Sequence, residues 1–206
     1  MPLTDEQRNA LPALRVMFTA GLALSLGTTV SLDERAKDPD SGTIPGDATV
    51  HVEIAPPSLH PHPLLPSNAL KTPERVPVYF FALRSDGLEG EPGPDIADTH
   101  IIFFIHGGAN VLGHPTQPPF VHFFIQLLHA VASQTGDGRK CVLAAPSYRL
   151  ATVPENAFPA ALQDLVAAYD YVLDKGYKAS NIVIAGDSAG GNHGQCPRPF
   201  VNNTQD

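Results

Sequence analysis

The sequence is short of the residues that several familiar kinds of protein are built from. Two cysteines in 206 residues, Cys141 and Cys196, are too few and too far apart for a disulfide framework or a zinc site. Cys141 lies in an apolar run, where a buried, inert thiol is expected. Basic residues are scarce, 13 Lys+Arg against 21 Asp+Glu, for a formal net charge of -8. With no basic stripe to offset that charge, a nucleic-acid partner is argued against. Charged residues make up 17% of the chain and hydrophobic residues 43%, the balance of a globular protein and not of a disordered one. The length suits one domain with a real core.

Apolar runs long enough to cross a bilayer are also missing. Val16 to Val30 is uncharged but shorter than the roughly 20 residues a span requires. Thr4 and Gln7 have capping-box spacing, and Leu11, Leu14, Phe18, Leu22 and Leu26 recur every three or four residues, so a helix is the favoured reading. A membrane anchor and a secretory signal are the alternatives. Asp5 and Glu6 beside Arg8, with no clear cleavage site after the run, argue against the signal. A cytoplasmic location is accordingly favoured over membrane association.

What is present falls into three parts. Residues 1–72 combine that helix with a Pro-, Gly- and Asp-rich stretch, read as loop with one short strand at "ATVHVEI". His60 and His62, between prolines there, lack a third ligand and read as an exposed turn. From residue 73 to 192 the pattern changes to apolar strands alternating with amphipathic helices. "VPVYFFAL" is rich in β-branched and aromatic residues, and "HIIFFIHGG", "KCVLAAPSYRL" and "NIVIAGDSAGG" read as strands buried on both faces. Between them, "PPFVHFFIQLLHAVASQ" places Phe120, Phe123, Phe124, Leu127, Leu128 and Val131 at helical spacing. "FPAALQDLVAAYDYVLDKG" does the same with Leu162, Leu165, Val166, Tyr169, Val172 and Leu173, with Gly176 at its end. The series βαβαβ predicts an α/β fold with a mostly parallel sheet covered by helices on both faces. Residues 193–206, with two prolines and no period, read as an aberrant tail.

Ligands bind beyond the carboxyl ends of the strands in such a sheet, and Ser188 stands there. Gly186-Asp187-Ser188-Ala189-Gly190 is G-x-S-x-G. The spacing has a steric reason: a side chain lifted on a tight strand-to-helix turn needs small neighbours two before and two after it. A second glycine motif, His106-Gly107-Gly108-Ala109, ends the "HIIFFI" strand.

These motifs, with Tyr148-Arg149-Leu150-Ala151, Pro154-Glu155, Phe158-Pro159-Ala160-Ala161 and Asp164 between them, resemble the hormone-sensitive-lipase-like branch of the α/β-hydrolases over roughly Val76 to Asn192. The resemblance implies a serine carboxylesterase acting on a small-molecule ester, with no cofactor and no metal. It implies Ser188 as nucleophile and the N–H groups of Gly107, Gly108 and Ala189 as the oxyanion hole. His106 is implied to be structural, Arg149, Glu155 and Asp164 a polar network behind the site, and residues 1–72 a cap or lid. Ala109 departs from the family's third glycine, and Thr152 and Val153 lengthen the Tyr148–Glu155 segment by two residues.

In that family the triad acid and histidine follow the serine. After Ser188 this chain offers His193, in the turn behind the elbow, and the terminal Asp206. The tail provides no sequence for the helix behind the elbow. The reading is therefore an N-terminal half of the fold, C-terminally truncated and inactive as written. A non-catalytic small-molecule-binding protein on the same fold is the rival, and an acyltransferase using the same serine is a third class.

Overall fold

A computed structural model describes residues 26–40, 42–58, 70–86, 96–134 and 140–194. The helix expected before Val30, the His60/His62 turn and the tail beyond Gly194 lie outside these residues. Five strands form one sheet: β1 (Ala48–Ala55), β2 (Val76–Leu83), β3 (His100–Ile105), β4 (Cys141–Pro146) and β5 (Ile182–Gly186). Their spatial order is β1-β2-β4-β3-β5. β3 pairs parallel with β4 and with β5, while β2 pairs antiparallel with both β1 and β4. The sheet is thus mixed, with its parallel part built from the three strands of the βαβαβ series. β1, inside the segment read as cap, is an edge of the same sheet.

Side-chain alternation divides the core between the two faces. On one, Val78, Phe80, Ile101, Phe103, Ile105, Val142 and Ala144 pack beneath Leu165, Ala168, Tyr169 and Val172 of α3 (Ala160–Asp174). On the other, Tyr79, Phe81, Ile102, Phe104, Leu143 and Ala145 pack beneath Val121, Phe124, Ile125 and Leu128 of α2 (Pro118–Gln134). Fully burying each large apolar side chain is worth about 1.5–3 kcal/mol. Every residue of β2 and β4 is buried, which is why these segments are continuously apolar in the sequence.

The buried face of α2 is rotated from the expected stripe. Val121 and Ile125 are inside, whereas Phe123 is 45% exposed. The segment is apolar on almost every side, so its spacing alone does not select which side meets the sheet. α3 keeps Leu162, Leu165, Tyr169 and Val172 buried, and it ends as expected with Gly176 at φ 104°, a left-handed position that suits glycine. Cys141 is buried, and desolvation pushes its thiol up to about 11.

Two short helices complete the described chain. α1 (Leu32–Arg35) opens with a capping box: Ser31 Oγ accepts from Glu34 N at 3.2 Å, and Glu34 Oε2 accepts from Ser31 N at 2.8 Å. α4 (Ala189–His193) follows the elbow. A helix behind the elbow was not expected from the residues after it, yet its first turn forms from the elbow itself. Gly190 N and Gly191 N donate to Asp187 O, and Asn192 N donates to Ser188 O.

Candidate active site

β5 ends at Gly186, and the chain turns into α4 through Asp187 and Ser188. Ser188 has φ 48° and ψ -118°, a conformation that costs a non-glycine residue about 1–3 kcal/mol. The turn is tight against the end of β3. A Cβ on Gly186 would stand 2.6 Å from Gly190 C and 2.7 Å from Ile105 O, and a Cβ on Gly190 would reach 2.7 Å from His106 O. Any side chain at either position would force the elbow off the sheet, which accounts for both glycines of G-x-S-x-G.

The second glycine motif lies alongside. Gly107 N donates to Asp187 Oδ1 at 2.6 Å, so the elbow's own carboxylate ties it to the loop that leaves β3. Gly108, Ala109 and Asn110 follow with φ of 113°, 54° and 64°, three consecutive left-handed residues of which one is glycine. Val111 N and Leu112 N both donate to Gly108 O, closing the loop into a compact turn. The N–H groups of Gly108, Ala109 and Ala189 donate to no described residue.

Three rings back this loop. His106, buried at 1% exposure, stacks on Tyr148 with centroids 4.3 Å apart and planes 15° from parallel. Tyr148 Oη donates to His106 O at 2.7 Å. Burial pulls His106 down to about 4, so at neutral pH it is an uncharged spacer within the loop's support. His193 meets the edge of Tyr148 at 5.9 Å. Its Nε2 lies 2.6 Å from Asn110 Oδ1, and desolvation lowers its pKa as well.

Behind the site lies a buried ionic network. Asp164 Oδ1 accepts from Arg149 Nη2 at 2.8 Å, and Oδ2 accepts from Arg149 N at 2.8 Å and Arg35 Nη1 at 3.3 Å. Glu74 accepts from Arg35 and Arg149 on the outer side. Arg149 and Asp164 are partners as expected, but Glu155 is exposed and makes no ion pair with them; the second acid is Glu74. Arg35 and Glu74 had no local signal, since Arg35 lies 129 residues from Asp164 in sequence. The capping box at Ser31–Glu34 could at least have marked an ordered turn beside Arg35.

Residues before the sheet are fastened to this region. Tyr79 Oη donates to Arg35 O, and His114 Nε2 bonds the same oxygen at 2.9 Å. Thr152, one of the two extra residues, donates through Oγ1 to Thr28 O and accepts Gly27 N at 2.7 Å. The lengthened segment therefore holds residues 27 and 28 against the core. Among the described residues no helix is long and apolar enough to cross a membrane, and no cluster of His, Cys, Asp and Glu could hold a metal ion.

Comparison with known proteins agrees with this architecture. The family model of the α/β hydrolase fold matches residues 102–193. An acetyl-hydrolase of Streptomyces hygroscopicus is 35% identical over 97 residues, covering 47% of this chain and 28% of that protein. An esterase of Acinetobacter venetianus is 30% identical over 142 residues, covering 68% of this chain and 42% of that protein. The solved structure of a hyperthermophilic esterase from the archaeon Pyrobaculum calidifontis superposes with a TM-score of 0.51 at 23% identity, over 97% of this chain and 54% of that one. The chain thus spans about half of that structure and less than half of these curated relatives. With the motif order His106-Gly107-Gly108, then Gly186-Asp187-Ser188-Ala189-Gly190, the chain has the α/β hydrolase fold and is similar to esterases and lipases of the hormone-sensitive-lipase-like branch.

Proposed function

We propose that the chain carries the nucleophile half of a serine carboxylesterase, with Ser188 as the nucleophile. The observation that supports this most is the backbone of Ser188 itself. A non-glycine residue at φ 48° between a strand and a helix is held there against its own preference, and such strain gathers at functional sites. Attack by Ser188 Oγ on an ester carbonyl would place negative charge on the carbonyl oxygen. The N–H groups of Gly108 and Ala189 are the donors for that oxyanion, with Ala109 beside them; each such donor contributes about 3–4 kcal/mol to the transition state. Gly107, expected in that role from the sequence, has its N–H engaged by Asp187, and its part is to hold loop and elbow together.

Proton transfer needs a histidine base and an acid that orients it. The 206 residues contain no histidine after His193, and His193 Nε2 is bonded to Asn110. Assayed alone, these 206 residues are expected to acylate at Ser188 slowly and to turn ester over at most in trace. The test is to mix the protein with p-nitrophenyl acetate and map the acetyl group. Slow acetylation at Ser188, abolished in Ser188→Ala and followed by negligible steady turnover, is the expected result. Fast Ser188-dependent turnover would place a base among these residues, and acetylation spread over surface lysines with none on Ser188 would sink the reading. In the latter case a ligand-binding role on the same fold becomes the better account.

A further inference from the structure

Ala109 and Asn110 adopt left-handed backbone at φ 54° and 64° directly after Gly108. Residues with a Cβ keep such conformations only where their surroundings over-determine them. The surroundings here come from two other parts of the fold. Ala151 N, from the loop after β4, donates to Asn110 O at 2.6 Å. His193, on α4, reaches Asn110 Oδ1 from the elbow side at 2.6 Å. His193 is itself fixed: it is 9% exposed, its edge rests on Tyr148, and Gly194 N closes the turn behind it on Gly190 O. Because Oδ1 can only accept, the contact requires the tautomer with the proton on Nε2.

Resting on the reading of Ser188 and its neighbouring donors given above, we infer that Asn110 and His193 form a clamp that positions the 107–113 loop against the elbow. His193 is thereby a positioning residue for the Gly108 and Ala109 N–H groups. The clamp spans the same gap as the Asp187–Gly107 bond but from the opposite end of the loop. One bond fixes the residue before the left-handed run, and the other fixes its last residue. The donors between them are set by both. His193 acts through Asn110 and touches no reacting atom.

Amide hydrogen exchange reads the clamp without depending on activity. In His193→Leu, exchange at Val111, Leu112 and Ala151, whose N–H groups donate within the loop or to Asn110 O, is expected to speed up about tenfold, the loss of one buried hydrogen bond, with amides in β3 and β4 unchanged. His193→Gln, whose terminal amide can donate from nearly the same place, is expected to restore slow exchange. Unchanged exchange at Val111, Leu112 and Ala151 in His193→Leu would overturn the inference, as would a Gln variant no slower than the Leu one. Should His193→Leu fail to fold, the unaltered protein decides by nitrogen NMR of the His193 ring. A proton on Nε2, with contacts to the Asn110 side chain, supports the clamp, and a proton on Nδ1 alone refutes it. Failure of Ser188 to acetylate would leave these results standing and would count against the esterase reading only.

Discussion

Replacing Asp164 by Asn should cost the fold more than any other single change of one polar atom. The carboxylate is 1% exposed and faces two guanidiniums, each 3% exposed at its side chain. Its oxygens accept from Arg149 N, Nε and Nη2 and from Arg35 Nη1. An amide keeps the shape but removes the charge, and its NH2 group turns a donor toward Arg N–H groups, which cannot accept it. The remaining acid, Glu74, is 46% exposed and too solvated to neutralise both arginines. Breaking a buried pair by removing one partner costs about 3–5 kcal/mol, set against about 5–15 kcal/mol for a whole domain. Glu74→Gln provides the internal control, since a half-exposed pair contributes at most about 1 kcal/mol. Urea denaturation of the three proteins, followed by circular dichroism, measures both. Asp164→Asn lying within about 1 kcal/mol of the parent, or no worse than Glu74→Gln, would refute the view that this network bears the packing of α3 on the sheet.

Two further outcomes follow from the site. His106 is pulled down to about 4 by burial, and His114 and His193 are lowered for the same reason, so the folded state binds fewer protons than the unfolded chain. Stability from these groups is complete above about pH 6.5 and falls as the pH drops toward 4; from His106 alone, about 2 kcal/mol should be lost between pH 7.5 and 5. Denaturation at these two pH values checks this, and a flat or rising stability toward pH 5 would contradict it. Ser188→Gly should stabilise the protein, because the relief of about 1–3 kcal/mol of strain at φ 48° exceeds the roughly 0.5–1 kcal/mol entropic cost of glycine. The melting temperature should rise by about 2–4 °C, and a fall would show that the elbow is not strained.

Continuous apolar runs made the strands legible, and the limits of β2 and the start and end of α2 coincide with the segments read from the sequence. β2 and β4 are buried on both faces as read, whereas β5, read the same way, lies at the edge of the described sheet with Val183 63% exposed. A helix lying on one face must choose, and α2 offered apolar residues to both candidates; Phe104 meets both rings, and the further contact with Phe81 goes with Phe124, which is buried while Phe123 stays half-exposed. The elbow was legible because its steric demand is local, reaching only two residues either way. The pairing of Arg35 with Asp164 and the bond of His193 to Asn110 were not, because both join side chains more than 80 residues apart and neither leaves a spacing in the sequence.

The same distinction separates the glycines from the residues that stand in for them. Gly107, Gly186 and Gly190 sit where any Cβ would strike backbone or carboxylate atoms that cannot move; a clash of that kind has no remedy, so the residue must be glycine. Ala109, Asn110 and Ser188 face a different constraint, a left-handed backbone, which a side chain makes costly without forbidding it. A cost of that kind can be met elsewhere in the structure. Here the hydrogen bonds meeting it involve residues 151, 187 and 193, with Ala151 N and His193 Nε2 donating and the Asp187 carboxylate accepting, all carried on the segments that follow β4 and β5. Two segments in unfavourable conformations, one at the end of β3 and one at the end of β5, are thus held by each other's flanking residues. Neither is stable in its shape without the parallel pairing that sets the two strand ends side by side. The site is therefore a property of the sheet's carboxyl edge as a whole, and a substitution that shifts β3 against β5 by a fraction of an ångström would disturb both segments together.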